Sequence, residues 1–271
     1  MIHQAVQFLA ITSKSILPPR YDDSHTSFIW DYQDKCFASE WLNANQTFRL
    51  EIDPVSLSMR LNPYKKQSID TVQLVGKTKK EVYAQLQKIL LKWGITLHHF
   101  THEMHYDLPE HKVNKGGKYQ THSIDLHDEV VKHYSNAYLL LSLLKGKNPL
   151  AGAIRCWPHH FDIAVDLPMM TETDNLSIKS SLGFSPANPD FPEPHFYFLL
   201  KSKEGINLRK KEKLKYGKWY RGDIVGTSLG LGRLVKKMDK DYQVRLIWNY
   251  INESYQVLHD QLFHSNIEKP L

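Results

Sequence analysis

The stretch CWPHHFD, residues 156–162, sets two adjacent imidazoles between aromatic rings and places a carboxylate two positions beyond the second. A histidine beside a carboxylate can act as an oriented general base, because the carboxylate fixes the ring tautomer and steadies the imidazolium. The same donors suit a divalent metal, for which neutral imidazole nitrogen and carboxylate oxygen are ordinary ligands. A strand over 159–167 would put His159, Phe161, Ile163, Val165 and Leu167 on one face, and His160, Asp162, Ala164 and Asp166 on the other. On that expectation His160 is ligand or base, Asp162 orients it, and His159, His160 and Asp162 form the metal set. The alternative reading of the same residues is that His160 and Asp162 only bond a neighbouring strand or loop.

A second segment, SPANPDFPEPHFYFLL (185–200), carries prolines at 186, 189, 192 and 194. A loop so short of backbone freedom holds its polar groups in place at low entropic cost, as a binding site requires. Beyond it Phe196, Phe198 and Leu200 alternate with His195 and Tyr197, and Glu193 offers a second carboxylate. The expected site therefore has His160, Asp162 and Glu193 as its reactive groups and Trp157, Ser185, His195 and Tyr197 as its ligand-binding groups.

Three other motifs fail on chemistry. His102-Glu103-Met104-His105 spaces its histidines by three, whereas the zinc-protease helix needs four. As a strand, His99, Glu103 and His105 would share one face, which reads better as a solvated polar edge. In GFSPA the residue after Ser185 is Pro186, which has no amide to hold an oxyanion, so a nucleophile elbow is excluded. SLGLG (228–232) lacks the sequel of a phosphate or dinucleotide loop and is expected as a turn.

Taken together, Trp157 to Asp162, Gly183-Phe184-Ser185-Pro186 and Glu193-Pro194-His195-Phe196-Tyr197 resemble an uncharacterised family of bacterial proteins, a domain of unknown function. Its pattern is a W-P-H-H-F-D strand, a G-x-S-P-G-D loop and an E-P-Y-F-Y strand. The resemblance implies where a site lies without implying a reaction. Here Ala187-Asn188 replaces Gly-Asp, and His195 replaces a tyrosine.

The elements that must position these residues show in the hydrophobic period. Residues 2–14 predict a helix ended by Pro18-Pro19. TFRLEID and the alternation through Leu57, Met59 and Leu61 predict a hairpin turning at Asp53-Pro54, and SFIWDY with CFASEWL predicts another. Thr78-Lys79-Lys80-Glu81 is a capping box opening a helix over 79–93. Further helices are expected over about 126–145 and 241–262, the last with Val244, Ile247, Trp248, Ile251, Tyr255, Leu258 and Leu262 as its apolar stripe. Strands are expected over 153–167, 176–184, 193–200 and 219–235. The fold class is α+β, with predominantly antiparallel sheets backed by three long helices. One compact domain over 1–271 is expected, and the element order also allows two similarly ordered halves, 1–107 and 122–271, joined by a flexible connector at 108–121.

The net charge of +6 is local: residues 201–218 hold eight Lys or Arg against two Glu, which accounts for all of it. With no aromatic stacking platform or recognition helix beside it, nucleic acid is not the expected partner and a small molecule is. A non-catalytic interaction module that uses this basic arm is the alternative. No apolar run approaches the roughly 20 residues that span a bilayer, so no membrane partner is expected. The opening residues lack a secretory pattern and there are only two cysteines, so a soluble protein of the cytoplasm is expected.

Overall fold

The computed structural model describes residues 1–64, 69–95, 104–121, 124–168, 179–188, 191–201, 213–220, 225–236 and 239–264. The HHFTHEMH segment before Met104, and the basic arm over 202–212, lie outside the described residues. The chain forms two compact units, residues 1–139 with 155–161, and residues 140–154 with 162–271. It is an α+β protein of helices and antiparallel sheets.

The first unit begins with α1 (Ile2–Ala5) and α2 (Gln7–Ile16), which bury Phe8, Leu9, Ala10 and Ile11. Six strands follow: β1 (Ile29–Asp31), β2 (Cys36–Ala38), β3 (Leu42–Asn43), β4 (Thr47–Asp53), β5 (Ser58–Pro63) and β6 (Asp70–Gln73). They order as β1-β2-β4-β5-β6, with β3 also on β4, and every pairing is antiparallel. The expected hairpin forms as β4–β5, and its register places Leu50 opposite Leu61 and Ile52 opposite Met59. Its turn is set by the Asp53 carboxylate, which accepts from the amides of Val55 and Ser56 at 2.8 and 3.0 Å.

Alternation assigned Glu51 to the solvent face, yet it is 3 % exposed. It accepts from Arg49 Nε at 2.7 Å and Asn62 Nδ2 at 3.1 Å and forms an ion pair with Arg60, whose Nε lies 3.0 Å away, so the outer face of β4 is closed by a charge network. Helix α3 (Lys79–Lys92) has the expected capping box, with Thr78 N donating to Glu81 and Glu81 N to Thr78 Oγ1. The 108–121 segment contains a 3-10 turn, Lys112–Lys115, and buries Val113 and Tyr119 in this unit.

Helix α4 (Ile124–Lys147) carries Tyr134 into the first unit's aromatic cluster with Trp30, Phe37 and Phe161. Strand β7 (Arg155–Trp157) returns to this unit, where Phe28 and Cys156 exchange backbone hydrogen bonds of 3.0 and 2.7 Å. Neither Cys36 nor Cys156 forms a disulfide, and burial pushes the Cys36 thiol up to about 12.

The second unit holds β8 (Asp162–Pro168), β9 (Lys179–Ser185), β10 (His195–Lys201), β11 (Lys218–Trp219) and β12 (Gly226–Gly230), then α5 (Leu231–Leu234) and α6 (Lys240–His264). Its strands order as β11-β12-β10-β9-β8, all antiparallel. SLGLG is the end of β12 and the first turn of α5, so the turn expected there is a strand-to-helix junction.

The α6 stripe is partly shifted from its predicted position. Ile251 and Leu258 are buried as expected, but Leu246, Tyr250 and Ser254 are buried too, while Val244 and Tyr255 are 53 % and 39 % exposed. Hydrogen bonding explains the shift, because Tyr250 donates to the Thr227 carbonyl at 2.9 Å and Thr227 Oγ1 to Ser254 Oγ at 2.7 Å. These polar groups could be buried only as partners.

Candidate functional site

Residues 158–161 form a turn, closed by the Phe161 amide donating to the Trp157 carbonyl at 2.8 Å, and β8 starts only at Asp162. The alternation expected from residue 159 therefore fails, and His160 shares no strand face with Asp162. The His160 side chain is exposed and its ring lies 4.2 Å from that of His159, whose ring is 6.2 Å from that of Trp157.

Phe161 has φ of +53°, a left-handed backbone that costs a bulky residue about 1–3 kcal/mol. Tertiary contacts impose it. The Tyr134 hydroxyl donates to the Phe161 carbonyl, and the rings of His3, Phe37 and Tyr134 each lie 5.2 Å from the Phe161 ring.

The N-terminal helices grip the same turn. His3 Nε2 and Gln7 Nε2 both donate to the Pro158 carbonyl at 2.8 Å. Gln7 Oε1 accepts from the Tyr106 hydroxyl at 2.8 Å, and the Tyr106 ring lies 5.6 Å from that of His159. Burial is the largest effect on His3 and holds its pKa below the ordinary histidine value, so the folded ring is neutral.

That fixes a sign. Below about pH 6.5 the unfolded chain takes a proton that folded His3 refuses, so stability is lost as pH falls towards the lower folded-state value. Urea midpoints at pH 7, 6 and 5 should decline, and His3→Gln should remove up to one proton, about 1.4 kcal/mol per pH unit, from the slope. An identical slope in the variant would refute this assignment.

Gln7 and Tyr106 line a pocket of about 180 Å³ in the first unit, together with Lys79, Asp107, Asn114 and an apolar side of Ile11, Met104 and Leu108. Desolvation lowers the pKa of Lys79, whose ammonium donates to Asn114 Oδ1 at 3.5 Å. Among the described residues no ion pair joins Lys79 to Asp107 or to any other carboxylate. A cation and an anion thus share one small pocket without neutralising each other.

The remaining predicted residues belong to the second unit. Tyr197 on β10 lies across Gly183 of β9, and its hydroxyl donates to the buried Asp162 carboxylate at the start of β8. Burial, with the Asp162 charge beside it, raises the Tyr197 pKa well above its ordinary value. His195 is 1 % exposed. Its Nδ1 donates to the Glu193 carbonyl at 3.1 Å and its Nε2 accepts from the Tyr220 hydroxyl at 2.9 Å, the arrangement of a neutral ring. Burial likewise lowers its pKa, and Phe191 stacks on it at 4.3 Å.

Ser185, opposite His195 in the register, donates to the Pro186 carbonyl at 3.2 Å. The Glu193 carboxylate is taken by the Gly232 amide at 2.8 Å and rests against Gly230, where a Cβ would come within 2.9 Å of Oε2. Asp162, Tyr197, His195 and Ser185 are thus gathered on one sheet, with Glu193 engaged at the β12–α5 junction.

Among the described residues no group of three or more His, Cys, Asp or Glu side chains is placed to hold a metal ion. The expected set of His159, His160 and Asp162 is not such a group. Its premise was the continuous strand that the Phe161 turn interrupts. Sequence reasoning missed His3, Gln7, Lys79, Tyr106 and Tyr220 as site residues; of these only Lys79 sits in a motif, the capping box, which signals a helix start and not a site. A glycine inside a strand pattern, Gly183, was a signal of close approach that pointed to Tyr197. Among the described residues no helix is long and apolar enough to cross a membrane. No family model, curated protein or solved structure matches the chain.

Proposed function

We propose that the protein binds a small zwitterionic molecule in the first unit, its carboxylate on Lys79 and its ammonium on Asp107. The observation that carries this is the pair of unneutralised opposite charges on one 180 Å³ pocket, with Gln7, Tyr106 and Asn114 as hydrogen-bonding groups and Ile11, Met104 and Leu108 beside a short apolar substituent. A partly desolvated lysine gains most from a carboxylate, because screening is weak there.

The CWPHHFD turn is the positioning device for this site. Pro158 fixes Gln7, and Gln7 fixes Tyr106. Membership of the bacterial family with the W-P-H-H-F-D segment is proposed on the motif residues themselves, of which Pro158 holds the pocket residue Gln7. The buried thiols Cys36 and Cys156 support a reducing, cytoplasmic location.

Calorimetric titration with L-alanine tests the reading. Saturable binding should weaken about tenfold or more in Lys79→Met and in Asp107→Asn, with acetate sensitive only to the first variant and methylamine only to the second. Absence of saturable binding by all three probes, or binding indifferent to both variants, would reject it.

A further inference from the structure

The second unit contains a larger cavity of different chemistry, about 350 Å³, between the last turns of α4, the end of β8, β10 and α6. Its floor is apolar: Phe198 is fully buried and Ile251 5 % exposed, with Leu144, Leu167 and Tyr255 as walls. Hydrocarbon side chains arranged around a concave space of this size are the usual makings of a small-molecule site, in which a few polar groups set orientation.

Those polar groups sit together on the lining, and all can donate. Lys147 lines the space, and its ammonium rests 4.7 Å over the Trp248 ring of α6. Asn148 spends its Oδ1 on the Leu150 amide at 3.1 Å, leaving its amide nitrogen as a donor. Asn252 adds a second side-chain amide, and among the described residues no acidic one lines the space.

We infer that this cavity binds an amphipathic carboxylate, a saturated chain of about eight to ten carbons on the apolar floor with its headgroup at Lys147, Asn148 and Asn252. An alkyl ammonium would meet the lysine charge, and an alcohol would forgo it. The inference is independent of the pocket in the first unit.

Titration of the full chain with hexanoate, octanoate and decanoate below their micelle concentrations gives the test. Affinity should rise about fourfold per methylene, or roughly 15-fold for each step of two carbons. Lys147→Gln should weaken octanoate about five- to tenfold and leave octanol unchanged. Leu144→Trp should fill the cavity and abolish binding of both. Leu150 is 71 % exposed, so Leu150→Glu keeps the fold while setting a carboxylate at the mouth, and should weaken octanoate but not octanol. Affinity independent of chain length would overturn the inference, as would octanoate binding equal in Lys147→Gln and Leu150→Glu to that of the parent. Light scattering that shows self-association lost in Leu150→Glu, with no octanoate bound by the parent, would assign the cavity to a second copy of the chain and overturn it as well.

Discussion

Gly183→Ala will destabilise the second unit by about 3 kcal/mol or more, lowering its melting temperature by on the order of 10 °C. A Cβ at Gly183 would stand 2.5 Å from Tyr197 Cζ and 2.7 Å from the Ile163 carbonyl oxygen. Carbon atoms are ordinarily in contact at about 3.5–4.0 Å, so one of the two neighbours must move. The Ile163 carbonyl is locked in the β8–β9 ladder, where Ile163 pairs with Phe184. Tyr197 therefore yields, and Asp162, only 6 % exposed, loses that donor.

Overpacking contributes about 1–3 kcal/mol and the weakened hydrogen bond to a buried charge about 1–3 kcal/mol more. Tyr197→Phe alone should cost about 2 kcal/mol, and the double variant less than the sum, because both changes remove one bond. Urea unfolding of the four proteins measures this directly. Strict additivity, or a Gly183→Ala protein within about 0.5 kcal/mol of the parent, would mean that Tyr197 does not depend on the glycine.

Glu51→Gln should cost the first unit about 2–3 kcal/mol. Removing one member of a buried ionic network leaves its partners uncompensated, typically at about 3–5 kcal/mol. Here the figure is discounted, because the Arg60 side chain is 32 % exposed and Arg49 keeps Asp31 at 3.0 Å. Glutamine preserves the shape but turns an amide towards a guanidinium, so charge is lost without a cavity. Guanidinium-free urea denaturation is the proper measurement, since added salt would screen the effect. Glu51→Leu is expected to be as harmful, because it strands the same two arginines. A change below about 0.5 kcal/mol in both variants would show that the network adds nothing to stability.

The contrast between Leu50 and Glu51 marks how far local pattern reaches. The hairpin and the three long helices follow from period and capping, signals that lie within about a dozen residues of each other. Glu51 alternates as a surface residue should, and only Arg60 and Asn62 on the adjacent strand make it interior. The same holds for the α6 stripe, shifted by Thr227.

At CWPHHFD the cause lies farther away. Phe161 is forced out of extended backbone by His3, Phe37 and Tyr134, and no property of the motif announces those contacts. The motif was rightly singled out as unusual, but the residues it serves in the first unit, Gln7 and Tyr106, have no pattern of their own. Asp162, Tyr197 and His195 were legible as one sheet-borne group because strand alternation does hold on β10. Lys79 was visible only as a helix-opening residue, and its place beside Asp107 and Asn114 is a property of the pocket.

The return of residues 155–161 to the first unit has a consequence during synthesis. A chain emerging N-terminus first at about 5–20 residues per second presents residue 139 about one to four seconds before residue 161. Through that interval Phe28 lacks the strand partner that Cys156 supplies, and Trp30, Phe37 and Tyr134 wait for the Phe161 ring. The first unit is thus completed only by seven residues made after the opening segment of the second, 140–154.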